Sequence, residues 1–199
     1  MDEKPITPEE IDEAILEMRF PRPSISSDEA ARKAVSLFNE RPEAYHCAPA
    51  AIIALQEAYD LPGGDLLPWI ATGFRGGICL GEMCGALSGA VIALGLMAYK
   101  GLGPATDRRQ KIACQAILPY VHDLAYGFNR VFGSIHCAVL TGVRERTPEE
   151  NEIYSRTRVG KDVCSPFVDY VVRKMVSWGE IAQAPPRRLP PGTPPLKLG

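Results

Sequence analysis

Met83-Cys84-Gly85-Ala86-Leu87-Ser88-Gly89-Ala90-Val91-Ile92-Ala93-Leu94-Gly95-Leu96-Met97-Ala98-Tyr99 is the longest stretch of the chain without a charged residue, 17 positions between Glu82 and Lys100. A helix that is apolar all round is buried, either in the core of a globular protein or in a bilayer. A membrane span needs about 20 apolar residues, so this glycine-studded segment reads as a central core helix running from about residue 82 to 99. Gly85, Gly89 and Ala93 recur at every fourth position on one face. Each interior glycine costs a helix about 1 kcal/mol relative to alanine. Close approach of a neighbouring helix or of a ligand is the compensation to look for.

Helix signals continue on both sides of this segment, and strand signals are almost absent. Thr7-Pro8-Glu9-Glu10 is a capped acidic start, followed by Ile11, Ile15 and Leu16 at helical spacing until Pro21 and Pro23. Ser27-Asp28-Glu29 opens a second helix that carries Ala34, Val35, Leu37 and Phe38. A third begins near Ala48-Pro49 and ends at Pro62-Gly63-Gly64. A short segment from Leu66 to Ala71 leads into the loop Gly73-Phe74-Arg75-Gly76-Gly77. Beyond the central helix, Ile112, Ala116, Tyr120, Leu124 and Phe128 mark a long helix over about 105–132, with Pro119 expected to kink it. Ser134 caps a short helical turn that Gly142 ends, and Ser165-Pro166 starts the last helix. The reading is all-α: a compact multi-helix domain with a buried Gly/Ala-rich central helix. It divides into an acidic N-terminal helical extension (1–40), a cysteine-containing helical domain (41–182) and a Pro-rich tail (183–199) expected to be extended and disordered.

The 199 residues carry 22 Lys+Arg against 24 Asp+Glu, a net charge of −2. This lacks the basic excess with which duplex-binding domains neutralise phosphates, so nucleic acid is not an expected partner. The charge is uneven: residues 1–30 hold nine acidic and three basic side chains, residues 151–199 eight basic and four acidic. Contact between the two ends, or association with a second chain, is the simplest use of that asymmetry. With the small-residue face of the central helix, it leads to the expectation of a homodimer. The N-terminus is acidic and has no apolar h-region. The expected location is cytoplasmic, where six cysteines are not structural disulfides.

The cysteines are Cys47, Cys79, Cys84, Cys114, Cys137 and Cys164, with no C-x-x-C among them. A shared site must therefore be assembled from distant segments. Cys47, Cys84, Cys137 and Cys164 each fall at an expected helix N-terminus. Free N–H groups and the helix dipole there favour negative charge and lower a thiol pKa. Cys114, in mid-helix at the edge of an apolar stripe, reads as a small buried hydrophobe. Cys79, in the Gly-rich loop, reads equally as a spare ligand, a resolving thiol or a loop cysteine. His46-Cys47 and His136-Cys137 raise the prospect of mixed Cys/His ligation, but adjacent helical residues point about 100° apart and one pair rarely serves one metal. Glu82, beside the cysteines, reads as a first-turn residue favoured by the helix dipole.

The segment Cys84-Gly85-Ala86-Leu87-Ser88-Gly89 resembles the C-G-A-x-x-G signature of the C_GCAxxG_C_C family of redox-active proteins. His46-Cys47-Ala48 is similar to that family's upstream Asn-Cys-Ala helix start, with His in place of Asn. Phe132-Gly133-Ser134-Ile135-His136-Cys137 resembles its Phe-Gly-Ser-x-x-Cys turn, and Cys164 opens the last helix as the final family cysteine does. The resemblance covers roughly residues 40–180; Cys79, Cys114 and the His-Cys pairs depart from it. The family is similar to the non-haem part of split-Soret cytochromes, which are helical and associated with an iron–sulfur centre. The haem-attachment motif is absent here. The resemblance implies thiol-based redox chemistry or cluster binding.

Three functions follow. In the first, Cys47, Cys84, Cys137 and Cys164 bind an iron–sulfur cluster for electron transfer with a redox partner protein, while Gly85, Ala86 and Gly89 let backbone approach the cofactor sulfurs. In the second, two of the four form a reversible disulfide, with Cys84 the nucleophile because its helix start lowers its pKa. In the third, zinc takes the cluster's place as a structural ion. No phosphate-binding loop, H-E-x-x-H or G-x-S-x-G points to another enzyme class.

Overall fold

The computed structural model describes residues 5–17, 20–40, 45–104, 106–144, 147–150, 152 and 159–180. The Pro-rich tail expected from residue 183, and much of the charged segment between Arg144 and Lys161, lie outside them. Eight α-helices are named here: α1 (Pro8–Glu17), α2 (Ser27–Glu40), α3 (Cys47–Tyr59), α4 (Leu66–Thr72), α5 (Gly85–Leu102), α6 (Asp107–Phe132), α7 (Cys137–Thr141) and α8 (Ser165–Glu180). Among the described residues, extended pairing is limited to one antiparallel bridge, Met83 with His136. The all-α reading holds.

Local chemistry explains where helices begin and end. Thr7 and Glu10 form a reciprocal capping box: the Thr7 N–H donates to Glu10 Oε2 (2.9 Å) and the Glu10 N–H to Thr7 Oγ1 (3.3 Å). Thr106 Oγ1 accepts from the Arg109 N–H at 3.3 Å and starts α6. Gly133 and Gly142 close α6 and α7 in the left-handed conformation that glycine adopts without a Cβ penalty. Pro119 sits inside α6, which continues as one 26-residue helix.

The core is built around α5, which packs against α3 and α6, while α8 lies along α2 and also meets α3, α5 and α6. Ile52 and Leu55 of α3, Leu87 and Leu94 of α5, Leu124 and Phe128 of α6, and Val168, Val171 and Val172 of α8 are fully buried in it. By length and composition α5 could cross a membrane, but it packs as a core helix with 56% of its length buried inside the molecule. At one pole Phe20, Tyr59, Tyr120 and Trp178 pack in edge-to-face and tilted pairs, with ring centroids 4.9–5.7 Å apart. The Tyr59 hydroxyl there donates to the Met175 carbonyl at 2.7 Å.

The acidic and basic ends meet within one chain where Arg173 pairs with Asp28. Glu180 accepts from the Ser27 N–H (2.7 Å) and Ser27 Oγ (2.8 Å), and Arg173 pairs with both Asp169 and Asp28. Glu10 of α1 holds Arg108 of α6 at 2.6 Å. α2, assigned by sequence to the acidic extension, contributes Ala30, Ala34 and Phe38 to the main core.

Candidate functional site

Four helix starts meet at the pole opposite the aromatic stack. Cys47 is the first residue of α3, after the extended N-cap His46 (φ −74, ψ −176). Cys84 is the N-cap of α5 (φ −51, ψ 128). Cys137 is the first residue of α7, after His136, and Cys164 ends the wide turn Val159–Cys164 immediately before α8. All four cysteines line one cleft, with Phe38, Leu140 and Phe167 as apolar walls. Cys84, Cys137 and Cys164 are buried, Cys47 is half-buried, and none of the four is in a disulfide.

Backbone pairing brings distant segments to this point. The Cys84 N–H donates to the Ile135 carbonyl (2.8 Å) and the Cys137 N–H to the Glu82 carbonyl (2.6 Å), flanking the Met83–His136 bridge. Side chains alternate across such a bridge. Cys84 and Cys137 thus share one side, and Met83 and His136 take the other. His136 Nδ1 lies 3.6 Å from Glu82 Oε2, and His136 is absent from the cleft lining. The two His-Cys pairs differ: His46 lines the cleft with Cys47.

The two signature glycines answer the question that α5 posed. A Cβ on Gly85 would stand 2.5 Å from Cys47 Sγ and 2.7 Å from the Phe74 carbonyl oxygen. One on Gly89 would stand 2.5 Å from the Ala48 carbonyl oxygen and 3.0 Å from its Cα. At both glycines the nearest atom comes from the start of α3. The small-residue face expected to receive a partner helix is therefore occupied by the chain's own α3.

The loop between α4 and α5 is unusual in its handedness. Gly76 (φ 57), Gly77 (φ 62), Ile78 (φ 53) and Cys79 (φ 58) are successive left-handed residues, a conformation that costs an L-residue such as Ile78 roughly 1–2 kcal/mol. Two of its glycines leave no room for a side chain: a Cβ on Gly77 would meet the Glu82 backbone at 2.5 Å, and one on Gly81 would meet the Ala138 Cβ at 2.5 Å. The loop places Arg75 and Gly76 in the cleft wall and leaves Cys79 exposed outside it.

Electrostatics at the cleft run against one expectation. The Cys84 thiol is pushed well above its ordinary pKa, first by burial and then by negative charge on Cys47, with Cys137 and Cys164 adding to it. The Ala86 N–H at the helix start does pull it down, but burial outweighs that hydrogen bond. Burial thus opposes the helix start at Cys84, against the lowered pKa expected there. His46 is lowered to about 4, by burial and then by Arg75, and is neutral at physiological pH. Its Nε2 lies 3.3 Å from Arg75 Nη1.

Cys114 is exposed, not buried as the sequence suggested. The buried stripe of α6 runs through Ala116, Pro119, Tyr120 and Leu124, and two residues before Ala116 the helix has turned to solvent. Cys114 instead lines a separate groove of about 220 Å³ with Gly95 and Tyr99. Arg75 escaped the sequence reading; the Gly-rich loop was visible, but no local signal says which of its side chains turns inward. Among the described residues, no three His, Cys, Asp or Glu side chains are grouped as a single metal ion would need. The cavity enclosed by the thiols is about 10 Å³, the volume that admits about one water.

A family model described as “Putative redox-active protein (C_GCAxxG_C_C)” matches residues 45–178. A protein of Archaeoglobus fulgidus described as “Uncharacterized protein” is 35% identical over 85 residues, 42% of this chain and 52% of its own length. The chain thus spans about half the length of the curated relative it matches. No solved structure matches. The family match takes in α3 through most of α8 and all four cleft cysteines, and on it the chain belongs to the C_GCAxxG_C_C family of redox-active proteins.

Proposed function

We propose that Cys47, Cys84, Cys137 and Cys164 hold an iron–sulfur cluster and that the protein exchanges single electrons with a partner redox protein. The observation that carries this reading is the meeting of four cysteines, each at a helix start, in a cleft whose described lining contains no carboxylate. A soft all-thiolate donor set suits iron–sulfur clusters and zinc. Four cysteines serve a [4Fe–4S] cluster at one per iron or a [2Fe–2S] cluster at two per iron. Either spreads its ligands wider than one tetrahedral ion does, in keeping with thiols not grouped for a single ion. When bound, such a group supplies reversible one-electron chemistry.

The chain's own contribution is electrostatic and steric. The Ala86 N–H at the start of α5 bonds the Cys84 sulfur, and helix starts favour added negative charge. Gly85, Ala86 and Gly89 leave room for backbone to come close, and Phe38, Leu140 and Phe167 limit water.

Anaerobic purification followed by iron, acid-labile sulfide and zinc analysis tests it. Brown protein containing both iron and sulfide is expected, with Cys84→Ser losing the colour. Colourless protein free of iron would overturn the reading. The tight cavity of about 10 Å³ favours a second reading, in which two of the thiols form a reversible disulfide. They would give up two protons and two electrons to an external disulfide, and the protein would be colourless with a two-electron titration. Stoichiometric zinc alone would instead mark a structural module.

A further inference from the structure

We propose that Arg75, held in place by His46, is the counter-charge of the four-cysteine cleft and raises the reduction potential of the site; this rests on the iron–sulfur reading above. Arg75 is the one cation among the described residues lining the cleft, and it shares that lining with all four cysteines. A guanidinium is always protonated, so this charge does not titrate away.

Two arrangements fix its position. Arginine has donors only, so the contact of 3.3 Å requires His46 Nε2 to accept from Arg75 Nη1 and puts the imidazole proton on Nδ1. His46 is then a neutral positioning residue: it aims the guanidinium without adding a charge. The backbone supplies the second constraint. The Cys79 N–H donates to the Arg75 carbonyl at 2.8 Å, across the left-handed turn that begins at Gly76. On the other side, the Phe74 carbonyl packs against Gly85, 2.7 Å from where a Cβ would stand. Arg75 is thus rooted against the start of α5 and not carried on a free loop.

One electron entering the site adds one negative charge, with no bond made or broken and no proton taken up by Arg75. A fixed positive charge at the cleft wall stabilises the more negative, reduced state more than the oxidised one. Removing it therefore lowers the potential.

Anaerobic dithionite titration of the iron-loaded protein, with dithionite as the electron donor, compares wild type with Arg75→Gln, Arg75→Lys, His46→Leu and His46→Gln. Arg75→Gln is expected to retain iron and sulfide and to shift the one-electron equilibrium about tenfold toward the oxidised form, about 59 mV. Arg75→Lys keeps the charge and most of the potential. His46→Leu moves the midpoint the same way by less, and His46→Gln, whose amide oxygen can accept from Arg75, restores it. Arg75→Gln with full iron content and the wild-type midpoint overturns the proposal. Should that variant lose its iron, a wild-type midpoint in His46→Leu overturns it instead. Wild-type protein without iron and sulfide overturns the cluster reading and this inference with it, a result distinct from an unshifted midpoint.

Discussion

The two halves of α5 carry the same kind of residue under opposite constraints. In the first half, Gly85 and Gly89 leave no room for a methyl group, because Cys47 Sγ and the Ala48 backbone lie where a Cβ would go. In the second, Gly95 has nothing within 4 Å of its Cβ position and faces the groove that Cys114 lines. Gly85 stands at the first helical position, whereas Gly89 and Gly95 each weaken the helix interior by about 1 kcal/mol relative to alanine. Only Gly85 and Gly89 gain close contacts in return, and at both the helix start that carries Cys47 supplies one, with the Phe74 carbonyl a second at Gly85. The glycines of the signature are thus packing residues that bring Cys47 to Cys84, and Gly95 takes no part in this.

Gly85→Ala is the strongest way to break that comparison. The added methyl must displace Cys47 Sγ and the Phe74 carbonyl, so the iron content of anaerobically purified protein should fall to near zero. Destabilisation of about 1–3 kcal/mol should accompany it, as overpacking usually produces. A double-mutant cycle with Cys47→Ala sharpens the point. Part of the stability loss should be recovered because one of the two clashes is gone, and strict additivity would show that Cys47 is not what Gly85 accommodates. Gly89→Ala comes next, with about 1–3 kcal/mol lost in a chemical denaturation series as α3 is pushed off α5. Gly95→Ala should act in the opposite direction. A gain of about 0.4–1 kcal/mol, or up to about 2–4 °C in thermal melting, is expected with iron content unchanged. Cys114→Ala should have the smallest effect, within about 0.5 kcal/mol and with no change in the cleft, because its side chain is exposed.

Helix positions were legible because they depend on neighbours in sequence. Thr7 with Glu10, Thr106 before α6, and Gly133 and Gly142 after α6 and α7 act over three to five residues. The location of the four cleft cysteines at helix starts follows from those same local signals. The Cys84 acidity was misjudged because a helix start is a local property and burial is not: the Ala86 N–H acts as expected, and the surroundings outweigh it. Cys114 was misplaced for a related reason. It lies at the edge of the apolar stripe of α6, where the neighbouring helices decide which residues are covered.

By itself, the sequence determined the helical class, the order of the elements, the small-residue stripe on α5 and which cysteines stand at helix starts, since each is written in spacing, capping and composition. Tertiary structure alone decided that these cysteines share one cleft, that α3 fills the stripe, that Cys84 is buried, and that His46 joins the site while His136 turns away. The Met83–His136 bridge joins segments more than fifty positions apart, and glycines of the loop after Arg75 pack against Glu82 and Ala138. Such contacts exist only once the core has closed, and no spacing along the chain encodes which of two chemically identical His-Cys pairs will face inward.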